Sequence, residues 1–550
     1  MDHIAPNFHE TELEFGRVRD VDGTAVTIEA AHLSRKLDHT EYAVELGAFV
    51  LIAAQKSDLI ASVSAIRLVE GPDQNKSLVE KRIVTCTLVG FLKDGSVFER
   101  GIERYPTVGC STYLLTETAL SFMFSTTKDG VAIGERCQRG GGSEHVRVDR
   151  MFGRHTAILG TSGSGKSWTV ASLIQSAMAS LPHTRILFLD LHDEYRSAFP
   201  TKFERLDRKI QHLSVQNLRL PYWLLSIDEL EELFVSQEHA APNQSALLRD
   251  LIRELKSSHA HNYGLPAEKV TVDTPIYFDF SEFISRIKAK DTEMVAGATS
   301  AGKQGPFFGK LSNLLMRLEA RSSDPRFAFL FQTKQPGSLD EFSSTLEEFF
   351  GIKNDTQLTI LDLSGLASDV LSTVVGVITR LCFEYKYWDA NPEHLPLTLV
   401  LEEAHNYLPR NDSARHRICI ERVERVAKEG RKYGVGLLVI SQRPSELSET
   451  VLSQCANFVV LRLTNPNDQS YVRKLLPDFL SVAVEMLPYL RTGEAVISGE
   501  AVEMPTRVRI RPPNPIPRSE DIGYLAAWRA GLPAGYSVNT VLSRWRQRQR

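Results

Sequence analysis

No apolar run in this chain is long enough to span a membrane, although 42% of its 550 residues are hydrophobic, so an integral membrane protein is excluded at the outset. Cysteine is sparse. The six residues Cys86, Cys110, Cys137, Cys382, Cys419 and Cys455 are scattered and form no C-x-x-C pair, which argues against a disulfide framework and against a zinc site. Most are expected to be small core residues. A net charge is also nearly missing: 64 basic against 68 acidic residues leave −4, so the chain as a whole does not look like a nucleic-acid binder. A few basic residues per copy can still converge on one strand or duplex when several copies form a ring. The start, Met1-Asp2-His3-Ile4-Ala5-Pro6, shows no basic stretch followed by an apolar core, so no secretory leader is expected and the chain is placed in the cytoplasm.

The chain is organised around Gly160-Thr161-Ser162-Gly163-Ser164-Gly165-Lys166-Ser167, a full match to G-x-x-x-x-G-K-[ST]. Thr156 to Leu159 before it read as a short buried strand, and the residues from Trp168 onward read as the first turns of a helix. That context makes the loop a phosphate cradle. Glycines let backbone N–H groups turn inward around phosphate oxygens, and the helix N-terminus adds partial positive charge at the same point. Lys166 is expected to reach the β- and γ-phosphates, and Ser167 to ligate the Mg²⁺ that bridges them.

Around this centre the pattern is α/β. Residues 1–133 read mostly as short β-branched strands, such as Ala25–Ile28, Phe49–Ala53 and Arg82–Val89, spaced like a small barrel or sandwich. Residues 134–150, with Gly140-Gly141-Gly142, read as a flexible linker. A strand at Arg185–Asp190 runs into His192, Asp193 and Glu194, a polar cluster that is either a ligand site or a plain strand exit. Residues 205–350 break the alternation and read as a helical insertion, irregular from Thr271 to Gly305. The core is thus expected at 151–204 and 351–504, followed by a proline-rich arm at 505–550 whose terminal arginines could meet nucleic acid or simply fray.

Leu397-Thr398-Leu399-Val400-Leu401-Glu402-Glu403-Ala404-His405 is an apolar strand ending in two acids. In a nucleoside triphosphatase one such carboxylate holds hydrated Mg²⁺ and the next polarises the attacking water, so Glu402 is expected as metal ligand and Glu403 as base. Arg431, in Glu429-Gly430-Arg431-Lys432-Tyr433-Gly434, sits at a glycine-bounded turn. Its guanidinium is expected at a subunit edge, where it could stabilise charge on a neighbour's γ-phosphate. Gln442, after the strand Val435–Ile440, is expected to sense the γ-phosphate. The helical stretch Arg415–Lys432 is otherwise a salt-bridged surface.

In their order, the cradle, Asp190-x-His192-x-Glu194-Tyr195, Glu402-Glu403-Ala404-His405, the Arg431 turn and Ser441-Gln442-Arg443-Pro444 resemble the HerA family, hexameric DNA translocases related to FtsK. The resemblance implies a RecA-like P-loop ATPase core with an N-terminal β-barrel, a helical insertion and a C-terminal arm bracing the adjacent subunit. It implies ATP and Mg²⁺ as cofactors, with Gly160, Ser162, Gly163, Ser164, Gly165, Lys166, Ser167 and Trp168 around the nucleotide. Glu403 would be the base, Gln442 the sensor, Arg431 an arginine finger acting in trans, and Arg154 a second nucleotide-side arginine. The family's usual Asp-Glu is Glu402-Glu403 here. The implied partners are double-stranded DNA, five further copies in a homohexamer, and an effector docking on the barrel: a NurA-type nuclease, or a sirtuin-like or other antiphage protein. Arg410, Arg415 and Arg417 are candidates for the DNA channel. A ring that only scaffolds an effector is the alternative, favoured by the near-neutral charge and by Glu402. A conjugation-type motor loses ground because no membrane anchor is visible.

Overall fold

The computed structural model describes residues 6–23, 25–72, 78–124, 130–137, 142–201, 209–214, 218–235, 241–295, 303–331, 339–366, 368–411, 416–476, 484–519 and 522–547. The chain divides into two compact units, Met1–Leu181 with Gly436–Ser519, and Pro182–Val435 with Glu520–Arg550.

The first unit begins with β1 (Glu14–Asp22), β2 (Ala25–Ala30), β3 (Ser34–Leu37), β4 (Thr40–Ala43), β5 (Phe49–Ile52), β6 (Leu59–Pro72), β7 (Leu78–Lys93), β8 (Val97–Arg100) and β9 (Ser111–Leu114). Alternation drives them: β2 buries Val26, Ile28 and Ala30 and turns the intervening residues outward. Antiparallel pairing runs β1–β2–β7–β6–β5–β9 and back to β1, a closed cycle. Phe15, Val26, Ile28, Val50, Val84 and Cys86 share one apolar cluster. The opposite face of the same strands, with Phe49, Leu51 and Ile60, forms a second cluster that includes Met504 from far along the chain.

The described residues of the stretch 134–150, which are 134–137 and 142–150, are ordered in strands and a helix. β10 (Gly130–Arg136) and β11 (Ser143–Arg147) pair antiparallel, and the helix Val148–Gly153 follows. A Cβ on Gly134 would sit 2.2 Å from Arg509 O, so this glycine permits close strand contact instead of bending. Gly140 and Gly141 of the expected linker lie outside the described residues. Next come β12 (Thr156–Leu159), wholly buried, and the helix Lys166–Ser180.

The second unit contains β13 (Ile186–Asp190), β14 (Ile210–Ser214), the small hairpin of β15 (Met294–Val295) and β16 (Lys303–Gln304), β17 (Leu358–Asp362) and β18 (Leu397–Leu401). Its main strands run β18-β13-β17-β14, all parallel. Near-continuous apolar runs in β13, β17 and β18 suit strands covered on both faces. Between β14 and β17 lie helices at Ile227–Phe234, Ala241–His259, Phe280–Asp291, Ser312–Ser323 and Leu339–Phe349. Two parts depart from the sequence reading. β14 is a strand despite its polar run Ile-Gln-His-Leu-Ser, because it adds to the edge of β17. The stretch expected to be irregular holds the helix Phe280–Asp291, which Asp279 caps by accepting the Glu282 N–H at 2.8 Å.

The chain re-enters the first unit as β19 (Val435–Ser441), β20 (Asn457–Val460), β21 (Glu494–Gly499) and β22 (Thr506–Ile510). The strand order here is β11-β10-β22-β21-β20-β12-β19, with β12 flanked by two parallel neighbours. The tail from Pro505 therefore starts as a paired strand, and it ends in the exposed helices Tyr524–Ala530 and Val538–Gln547. Arg548 and Arg550 lie outside the described residues. Cys86, Cys382, Cys419 and Cys455 are buried, while Cys110 and Cys137 are half-buried. Among the described residues no helix is long and apolar enough to cross a membrane.

Candidate nucleotide-binding and catalytic residues

In the first unit the loop leaves the buried end of β12 and enters the helix at Lys166. Gly163 and Gly165 take φ of 70° and 100°, a region where a side chain is strained, and a Cβ on Gly160 would lie 2.7 Å from Ser164 Oγ. Glycine is required at all three. Ser164 Oγ donates to Thr161 O at 2.7 Å, and Lys166 Nζ donates to the same carbonyl at 3.3 Å, so the lysine lies along the inside of its own loop. Lys166 is 7% exposed, and the helix N-terminus at its base adds partial positive charge. Ser162 is exposed, and Ser167 and Trp168 are half-buried. This is a cradle shaped for an anion.

Sequence reasoning missed what holds the loop from outside. Thr161 N and Oγ1 both donate to Arg462 O at 3.0 Å across 301 residues, Gly493 N donates to Ser164 O at 3.0 Å, and Gly160 N donates to Ser441 O at 3.3 Å. Arg462 Nη2 and Thr492 Oγ1 each approach Gly163 O at 3.4 Å. Nothing local in the sequence marks these residues, because the exit of β20 and the entry of β21 reach the loop only once the strands are ordered. Gln442 follows Ser441, the last residue of β19, and is half-buried. Arg154 ends the helix Val148–Gly153 and lies 3.6 Å from Glu500, which also pairs with Arg150 at 3.0 Å.

The second unit brings Asp190, Glu402, Glu403 and His405 together at the C-terminal ends of β13 and β18. Asp190 is fully buried and accepts the N–H groups of His192, Glu194 and Tyr195 at 3.1, 3.3 and 3.1 Å. The polar cluster after β13 is therefore in large part a turn folded around one carboxylate. Glu402, 2% exposed, accepts Leu191 N–H at 3.0 Å and shares a hydrogen bond with Asp190. Burial first, and then the neighbouring Asp190 charge, push the Glu402 carboxyl well above the usual carboxylate range. Burial also raises Asp190, against the downward pull of its N–H partners. Burial beside one another thus disfavours a second negative charge on this pair, and the upward push is the stronger at Glu402.

Glu403 takes the left-handed conformation, φ 45° and ψ 46°, and is 5% exposed, with Oε2 3.3 Å from His405 Nδ1. Asp193 is also left-handed, at φ 55°. For a non-glycine residue this costs on the order of 1 kcal/mol, and such strain collects at functional sites. Tyr407, fully buried, donates its hydroxyl to Glu402 O at 2.9 Å and fixes the turn.

Arg431 is exposed in the turn Gly430–Tyr433, which Gly434 closes at φ 73°. Arg410 is exposed, Arg417 is exposed beside Glu421 at 3.2 Å, and Arg415 lies outside the described residues. Among the described residues no group of three His, Cys, Asp or Glu is arranged to hold a metal by itself. A Mg²⁺ here would be of the kind that takes most of its oxygens from phosphate and water, which suits Ser167. Glu402, the other expected ligand, stands at the end of β18, where it accepts Leu191 N–H and shares a hydrogen bond with Asp190.

Comparison with known proteins agrees with the site. The family described as "Helicase HerA, central domain" matches residues 131–382, and "Helicase HerA-like C-terminal" matches 383–520. The DNA double-strand break repair helicase HerA of Sulfurisphaera tokodaii is 26% identical over 509 residues, covering 89% of this chain and 92% of that protein. Its counterpart in Pyrococcus furiosus is 24% identical over 538 residues, covering 90% and 83%. VirB4 of Thermoanaerobacter pseudethanolicus is similar in structure at a TM-score of 0.49 and 17% identity, over 70% of this chain and 97% of that one, too low a likeness to argue from. With a complete phosphate cradle and both family domains in place, the chain belongs to the HerA helicase family and is an ATP-hydrolysing enzyme.

Proposed function

We propose that this chain is the motor subunit of a DNA-processing machine, a homohexamer that uses ATP and Mg²⁺ to move double-stranded DNA for a nuclease or other effector, in end processing or antiphage defence. The observation that carries the reading is the cradle, built on three obligatory glycines with Lys166 laid along it. In this reading Gly160 to Trp168 surround the phosphates, Ser167 ligates Mg²⁺, Gln442 senses the γ-phosphate and Glu403 is the general base. Arg154 and Arg431 are nucleotide-side arginines, the second serving a neighbouring copy. Bound Mg²⁺ supplies charge neutralisation at the phosphates. The relatives named above as DNA double-strand break repair helicases support DNA as the substrate. The closed cycle of six strands supports reading residues 1–133 as a small β-barrel, and that barrel is the proposed docking face for the effector.

A ring that binds ATP chiefly to assemble an effector is the second reading, favoured by the near-neutral charge and by Glu402 in place of the usual Asp. The deciding experiment measures ATP hydrolysis with and without linear duplex DNA, together with mass in solution and an Arg431→Ala variant. DNA-stimulated turnover by a six-subunit particle, lost in Arg431→Ala, is the expected result. A stable ring with no turnover on DNA would replace the motor with the scaffold.

A further inference from the structure

We infer that Asp468 is a positioning residue for ATP hydrolysis, because it fixes the loop that presents Gln442. The inference rests on the role proposed for Gln442. Asp468 is a carboxylate at 3% exposure in the first turn of the helix Pro466–Leu475. An acid there ordinarily reaches back to its own helix start. In this helix Asn465 does that work, accepting Asn467 N–H at 2.9 Å, and Asp468 turns instead to a loop 23 residues upstream. Its Oδ1 accepts both Ser445 N–H at 3.1 Å and Ser445 Oγ–H at 2.7 Å. Two hydrogen bonds converging on one buried carboxylate oxygen hold Ser445 by both its backbone and its side chain.

The loop it grips is short and pinned at its other end. Ser441 Oγ accepts Arg443 N–H at 3.0 Å, and Glu446 N–H closes a 3₁₀ turn on Arg443 O at 3.1 Å. Gln442 lies between the two anchors. Its neighbour Ser441 accepts the N–H of Gly160, the first residue of the cradle, at 3.3 Å. The segment after β20 therefore holds two things at once: Arg462 O anchors the cradle through Thr161, and Asp468 anchors the sensor loop through Ser445. Cradle and sensor are set against each other by one stretch of chain. An amide that must meet a γ-phosphate tolerates little displacement, since about 1 Å of misplacement costs up to about a hundredfold in rate.

The test compares Asp468→Ala, Asp468→Asn, Ser445→Ala and Gln442→Ala in the full-length protein, reading kcat and KM for ATP, binding of a fluorescent ATP analogue with Mg²⁺, and melting temperature. Asp468→Ala is expected to lower kcat about tenfold or more, with analogue binding within about twofold of wild type. Asp468→Asn, which keeps one acceptor oxygen, restores most of the rate. Asp468→Ala combined with Gln442→Ala is no slower than Gln442→Ala alone, because both remove the same function. If Asp468→Ala melts too early to assay, Ser445→Ala carries the test, with a several-fold loss in kcat and unchanged binding. Unchanged kcat in both variants, or losses that multiply with Gln442→Ala, would overturn the inference. Gln442→Ala with wild-type turnover would remove the sensor reading itself, and the inference with it.

Discussion

The cradle in the first unit and the acid turns in the second handle charge in opposite ways. The cradle keeps its cation and its N–H donors at a loop that an anion can reach, with Ser162 and Gly163 exposed, and Lys166 waits on a carbonyl of the same loop. The acid end sinks Asp190, Glu402 and Glu403 to 5% exposure or less, and relieves the crowding by giving Asp190 three backbone donors and Glu402 one. Elsewhere the second unit repeats the habit: Arg380 pairs with Glu229 at 2.8 Å where both are nearly or wholly buried, and Lys256 donates to two backbone carbonyls with no exposure at all. A binding loop must leave room for its ligand's charge, whereas a base must be held in one direction and kept dry.

Separating binding from turnover is the strongest way to break this contrast. Glu403→Gln is expected to lower ATP turnover about a thousandfold while binding of a fluorescent ATP analogue survives. Lys166→Ala is expected to lose turnover by at least about a hundredfold and binding along with it. Steady-state hydrolysis beside equilibrium titration reads both, and a Glu403→Gln protein that hydrolyses normally would mean the acid end is structural.

The two buried carboxyls should differ in stability. Asp190→Ala leaves three backbone N–H groups without their acceptor and is expected to cost about 3 kcal/mol in denaturant unfolding. Burial pushes the Glu402 carboxyl towards its neutral form, so Glu402→Gln, an amide of the same shape, is expected to cost about 1 kcal/mol or less. Equal losses would overturn that difference between the two carboxyls.

Lys256 gives the smallest effect and a sign that can be checked. Burial lowers its ammonium to about 7, whereas an unfolded lysine keeps its proton to roughly pH 10. Between those values the unfolded chain binds more protons, so the wild-type protein gains stability as pH rises through this window. From about pH 7 to 8 the gain is on the order of 1 kcal/mol, and Lys256→Met should lack it. Denaturant midpoints at the two pH values decide the matter.

Much of this protein is written in its sequence because the physics is local. Gly160, Gly163, Gly165, Lys166 and Ser167 need no distant partner to define a loop around phosphate, and β13, β17 and β18 are long enough and apolar enough to be recognised as buried parallel strands. Segments whose structure comes from a neighbour were misread. The stretch 134–150 looked like a linker because of Gly140-Gly141-Gly142, whereas the pairing of Gly134 to Arg136 with β22 is set by residues far along the chain. β14 carries no apolar pattern and is a strand only beside β17. The site divides in the same way. Residue types and order singled out Lys166, Glu403, Gln442 and Arg431 as candidates, but the burial of Glu402 against Asp190, the left-handed backbone at Glu403, the Arg462 anchor on the cradle and the Asp468 grip on the loop after Gln442 all depend on distance through space. Sequence fixes what each side chain can do, and burial beside particular neighbours decides which of those states it keeps.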